Sequence, residues 1–250
     1  MPLNKMAMDG VSCTLCHQIR DDGKLGTKES FSGNFTINKN ISKPDRQIFG
    51  SFKNPLTMPM KRNSGFTPEY SRHVKDAHLC AICHTLFTPT VDKNGNIVGE
   101  IPEQVPYLEW EHSIYGDGLG NDDRSCQNCH MPEADGGVII SNRPRMVSER
   151  SPFAKHHFVG GNVFMLNILK DNVSELSLTA NQWHFNNTIV RTFRMLENAA
   201  EIKIDKISRS GESLLINIKI INKSGYGVKN ISRITDCSRR ASIKKQLRRP

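Results

Sequence analysis

One pentapeptide pattern occurs three times in the chain, as Cys13-Thr14-Leu15-Cys16-His17, Cys80-Ala81-Ile82-Cys83-His84 and Cys126-Gln127-Asn128-Cys129-His130. Residues i, i+3 and i+4 share one face of a helical turn, so each repeat presents two thiols and an imidazole to the same side. On that face both thiols can meet the two vinyl groups of one porphyrin while the imidazole lies under the iron. The pattern therefore reads as the attachment site of a c-type haem. With 7 Cys and 9 His in 250 residues, a shuffled chain would hold on the order of 0.01 such matches. The repeats consume all the cysteines but Cys237. Structural zinc explains paired cysteines but not a histidine after every second one, and three pairs do not divide into four-ligand sites. Redox dithiols or disulfides leave the histidines equally unexplained.

Hydrophobic content is 37% and mean hydropathy is −0.48, thin for a conventional core. A porphyrin supplies a large apolar plate, so haem can stand in for side-chain core. The expected fold class is mainly α with much irregular structure, a multihaem cytochrome body wrapped around covalent haems and followed by a small, incomplete β module. The formal charge of +9 does not announce a nucleic-acid partner. Eight Lys and Arg against Asp236 give residues 226–250 a net +7, which leaves +2 for the other 225 residues. Propionates from three haems, about six carboxylates, would turn the body mildly acidic.

No stretch reaches the 18 or more apolar residues of a membrane span, and Met1-Pro2-Leu3-Asn4-Lys5 does not open a signal peptide. Haem attachment of this kind takes place outside the cytosol, so the expected location is periplasmic or cell-surface and extracellular, with a leader absent from this sequence.

Four segments are expected. Residues 1–172 form the haem body, 173–199 a connecting helix, 200–225 a β-hairpin, and 226–250 a basic tail that is disordered or aberrant. In the body, Pro44, Gly50, Pro55, Pro59, Gly65 and Pro68 break any periodic pattern over residues 10–72. Met58 and Met60 read as core fillers more readily than as axial thioethers. Residues 73–87 suggest a helix carrying the second motif, and residues 91–98 a hairpin turning at Asn94-Gly95. A helix follows from Pro106 to Tyr115. Val163 to Leu169 is an apolar helix and Leu178 to Ala200 a longer one. The runs 201–207 and 214–221 alternate as two strands of a hairpin, which cannot stand alone in water.

Several strings resemble the multihaem c-type cytochromes related to the tetrahaem electron carriers of hydroxylamine oxidation. They are Gly65-Phe66-Thr67-Pro68 with His73, Leu79 to Leu86 around the second motif, Glu103 to Trp110, Ser125 to Pro132 around the third motif, and His156 to Asn162. The resemblance covers residues 10–225. Relatives carry further haem-binding sequence upstream, and after Asn222-Lys223-Ser224-Gly225 they continue into more strands. Here that turn leads to the Lys/Arg/Ser run with Cys237, as a truncated or frame-shifted end would.

His17, His84 and His130 take the proximal positions under three irons. His73, His112 and His156 lead as distal ligands because each sits in a family-like string, with His157 a close rival of His156; His78 also remains, and His184 reads as packing. Trp110 and Phe158 divide between core packing and packing on a porphyrin face. Substrate chemistry needs an open coordination position with acid or base groups around it, and the sequence displays none. The leading function is electron transfer between redox partner proteins through mostly bis-His haems. The alternatives are a multihaem oxidoreductase for a small nitrogen or sulfur compound at a five-coordinate haem, and an electron-transfer subunit of a homo-oligomer or larger complex.

Overall fold

The computed structural model describes residues 10–116, 123–142, 147–210, 213–224 and 241–242. The chain divides into two compact units, Met1–His156 and His157–Pro250. This division falls earlier than the body's expected end at residue 172 and gives the apolar helix after Asn162 to the second unit.

The first unit is built from short elements. Helix α1 (Cys13–Cys16) carries the first motif. Strand β1 (Gln47–Gly50) then pairs in parallel with β2 (Thr67–Tyr70), in register Gln47 with Thr67 through Gly50 with Tyr70. Parallel neighbours need a crossover, and helix α2 (Thr57–Ser64) lies in it. Neither this helix nor the sheet was visible in the prolines and glycines of residues 10–72. Met58 and Met60 lie on α2 and are exposed, so they are not the core fillers the sequence suggested.

A 3-10 turn (Arg72–Lys75) and helix α3 (Ala77–Ala81) replace the single helix expected over 73–87. They are divided at Asp76, whose extended backbone ends the turn and whose carboxylate accepts the His78 N–H at 3.1 Å. The expected hairpin forms from β3 (Leu86–Val91) and β4 (Ile97–Gln104). At its turn the Asp92 carboxylate accepts from the backbone N–H groups of Asn94 and Asn96. Helix α4 (Pro106–Glu111) begins with Pro106 as expected, and α5 (Cys126–His130) carries the third motif.

The core of this unit is small. Phe31, Ala77, Ala81 and Tyr107 form its buried cluster, with Phe87, Leu108, Trp110 and Cys126 packed against it. Phe31 meets Tyr107 edge-on at 5.9 Å, and Tyr107 meets Trp110 at 5.6 Å. The two alanines of α3 leave room for those rings.

In the second unit, Asn162 caps helix α6 (Val163–Asp171) by accepting the Met165 N–H at 2.9 Å. Helix α7 (Gln182–Glu197), against which α6 packs, opens with a reciprocal box. The Asn181 carboxamide accepts the His184 N–H at 3.1 Å and the His184 ring accepts the Asn181 N–H at 3.2 Å, so His184 is a cap. Strands β5 (Ala200–Ser210) and β6 (Ser213–Asn222) form the expected hairpin. The isoleucines fall at 202, 204 and 207, which breaks simple alternation, and the register shift between Ile204 and Lys206 absorbs the extra residue. Ile202, Ile204 and Ile207 thus pair with Ile220, Ile218 and Ile216 on one face. A two-residue strand β7 (Ala241–Ser242) joins β6 as a third strand. Apart from those two residues, the tail 226–250 expected to be disordered or aberrant, Cys237 included, lies outside the described residues.

Gly26 closes the loop over this core. Its φ is +78, and a Cβ there would overlap the His78 ring and approach the Tyr107 hydroxyl to 2.8 Å. Gly33 has a similar φ of +83 but open space around it. Gly26→Ala should cost about 2–4 kcal/mol in denaturant unfolding, from left-handed strain plus overpacking, against about 1–2 kcal/mol for Gly33→Ala, from strain alone.

Candidate functional site

The first motif is fixed by a residue far along the chain. Phe49 donates its N–H to the His17 carbonyl at 2.7 Å, and its own carbonyl accepts the Nδ1–H of His17 at 2.6 Å. A carbonyl only accepts, so the proton sits on Nδ1 and the lone pair on Nε2, the form in which imidazole binds a metal. The parallel pairing of β1 with β2 holds Phe49 in place.

His156 has the same arrangement, with Nδ1 donating to the Ala154 carbonyl at 3.1 Å. Its segment is zipped antiparallel to the residues after the third motif. Ala134 donates to the Phe153 carbonyl at 2.8 Å and Lys155 donates to that of Pro132 at 2.9 Å. The His17 and His156 rings lie 6.2 Å apart, centre to centre, with planes at 31°. Two imidazoles bound on opposite sides of one metal, at about 2 Å each, place their ring centres about 6 Å apart. The spacing of the two rings would suit one haem iron held by His17 and His156 together.

The second and third motifs lie against each other. Cys80 and Cys126 are neighbours: Cys126, together with burial, pushes the Cys80 thiol well above the usual range, while Cys80 draws Cys126 down against the opposing effect of burial. Burial raises Cys16, and nearby Cys83 adds to it; burial also raises Cys83 and Cys129. His84 is pulled below the usual imidazole value, first because its ring is partly withdrawn from water and then because His130 is close by. Thiols of all three motifs thus feel one another inside one compact unit. The six motif cysteines, Cys13 among them, are free rather than joined in disulfides. Among the described residues no three or more His, Cys, Asp or Glu side chains gather as a bare metal ion would require.

Gln127, in a variable position of the third motif, fastens it to the second. Its side-chain amide donates to the carbonyls of Asp76 at 2.8 Å and Val74 at 3.3 Å, on either side of the step from the 3-10 turn into α3. Its neighbour Asn128 caps α5, its carboxamide oxygen accepting the Ser125 N–H at 2.8 Å. Neither residue type is required by the motif pattern, so sequence reading passed over both.

The remaining expected ligands are in different situations. His73 is buried with both ring nitrogens engaged, Nδ1 with the Ser71 hydroxyl at 2.6 Å and Nε2 with the Ile19 carbonyl at 2.9 Å. It also packs edge-on to Phe49 at 5.3 Å. In this geometry it braces the segment after the first motif against β1, with both nitrogens engaged in hydrogen bonds. His112 ends α4, exposed, with Nδ1 donating to the Leu108 carbonyl at 2.7 Å. His157 is half-buried and opens the second unit. His78, half-buried, holds the Asp76 carboxylate through Nδ1 at 2.6 Å. Trp110 packs on the core and donates its indole N–H to the Arg124 carbonyl at 2.5 Å, whereas Phe158 is 64% exposed.

No protein-family model matches the chain, and neither does any curated protein. Among solved structures it is similar to a penta-heme cytochrome c552 from Thermochromatium tepidum, at 14% identity and a TM-score of 0.44, over 86% of this chain. The chain spans 44% of the length of that structure.

Gln127→Glu keeps the size but turns a carboxylate toward two carbonyls. Loss of both hydrogen bonds should lower stability by about 1–3 kcal/mol, read from denaturant midpoints of the mature protein.

Proposed function

We propose that the chain is a multihaem c-type cytochrome passing electrons between redox partner proteins. The observation that carries this reading is the convergence of three C-x-x-C-H segments in one compact unit, with the His17 and His156 rings spaced as two axial ligands of one iron. Cys13 and Cys16, Cys80 and Cys83, and Cys126 and Cys129 would each tether one haem, with His17, His84 and His130 beneath. The strings that resemble the cytochromes related to tetrahaem electron carriers of hydroxylamine oxidation support the same reading.

Haem iron supplies the chemistry, taking up and giving back one electron at a potential tuned by ligand, burial and hydrogen bonds. The chain's residues do the rest. The Phe49 and Ala154 carbonyls keep the Nδ1 protons of His17 and His156 in place and leave each Nε2 as donor. Rings fixed in this way at Nδ1 would need little reorientation to hold a haem iron in either charge state. The nearness of Cys80 to Cys126 would keep haems tethered at the second and third motifs close to each other, as electron hopping needs. His112, its Nδ1 already tied, is offered as a further distal ligand, with His157 as its rival.

Covalent haem attachment of this kind would take place outside the cytosol, so the function would lie there too. No helix among the described residues is long and apolar enough to cross a membrane. Redox partners or further subunits would extend the haem chain beyond these three sites.

The protein matured with haem-attachment machinery should carry three haems by intact mass, and Cys80→Ser/Cys83→Ser should carry two. A colourless product with the mass of the bare polypeptide would overturn the reading. His156→Ala should keep three haems but turn one from low to high spin and let it bind carbon monoxide when reduced. His73→Ala should leave the spin count unchanged and instead lower stability by about 2–4 kcal/mol, because it strips a buried imidazole from two partners.

A further inference from the structure

Beside the His17 and His156 segments lies a pocket of about 330 Å³ with no part in the haem attachment described above. It is lined by Phe52 and Lys53 just after β1, Tyr70 at the end of β2, Lys75 at the end of the 3-10 turn, and Glu149 and Arg150. Three cations and one carboxylate give the lining a net charge of +2. Among the described residues none of Lys53, Lys75 and Arg150 has an ion-pair partner.

Arg150 is fixed at both ends. Its backbone makes a two-bond bridge with Val138, at 2.9 and 3.1 Å. Its guanidinium donates to the Lys53 carbonyl at 3.5 Å and the Asn54 carbonyl at 3.4 Å. It stands 5.6 Å over the Phe52 ring, which is stacked in turn on Phe153 at 6.4 Å. Its Nε–H is buried with no acceptor, an unsatisfied donor on a charged group. The two carbonyls offset the charge of this guanidinium only in part, and an anion in the pocket would offset more of it. Lys53 and Lys75 line the pocket from other elements, and Lys53 lies 5.9 Å over the Tyr70 ring.

The volume is at the lower end for a small-molecule site, and a +2 lining matches a dianion. We propose that this pocket binds a ligand bearing two carboxylates, with Arg150 as the fixed anchor, Lys53 and Lys75 as the second arm, and Phe52 and Tyr70 as walls. Two sources share that chemistry. One is the propionate pair of the haem on His17, because the segments that hold His17 and His156 run directly into the pocket at Ser51 and Ser151. This source rests on the function proposed above. The other is a free dicarboxylate, which does not.

The test uses mature protein, with haem count by intact mass on every sample, succinate titrated by calorimetry, and the midpoint potentials measured. Arg150→Gln is compared with Lys53→Gln/Lys75→Gln, whose exposed side chains are not needed for folding. A free dicarboxylate site gives one succinate bound per chain, weakened at least tenfold in both variants, with potentials unchanged. A propionate site gives no succinate binding to the three-haem protein, but a negative shift of one potential out of three in both variants. Unaltered potentials and no succinate binding, at full haem count, would overturn the proposal. A sample without haem that still binds succinate would reject the haem reading and leave the pocket standing.

Discussion

The first motif depends on one backbone residue. Phe49 gives its N–H to the His17 carbonyl and takes the His17 ring proton on its own carbonyl. A four-residue helix such as α1 cannot hold an imidazole at a defined angle by itself, since it is barely one turn and carries no capping side chain on its start. The parallel sheet of β1 and β2 supplies the rigidity, and the buried His73 braces it by bonding Ile19 while packing on the Phe49 ring. The sheet is therefore part of the site, although it contributes no ligand.

The same economy runs through the other two motifs. α3 and α5 are each five residues long, and their positions come from the Gln127 amide, the cysteine pair and the aromatic cluster around Phe31 and Tyr107. A unit with so small a buried cluster is held together by polar contacts between loops, and porphyrin plates would add the apolar mass it lacks.

The three C-x-x-C-H segments stood out in the sequence because the proposed attachment would fix their spacing: Cys, Cys and His must share a turn. Likewise Asn94-Gly95 announced its hairpin and Pro106 the start of its helix. The supports were illegible for a physical reason. Phe49 acts through its peptide group, which any residue possesses, and Gln127 through an amide at a position the motif leaves free. The bracing role of His73 was equally hidden, since a histidine in a family-like string looks the same in one dimension whether or not its nitrogens bond a serine and a carbonyl. The slip of the isoleucine pattern at Asp205 was present in the letters, yet only the strand register reveals that a bulge repairs it.

Chain order adds a matter of timing to the zipper that joins residues 153–155 to residues 132–134. A polypeptide threaded outward from its beginning exposes His17 first, whereas His156 emerges only after all three thiol pairs and folds back along the strand just behind the last of them. On the proposed reading, a haem on His17 would lack its second ligand until the segment carrying His156 had been delivered and had folded back.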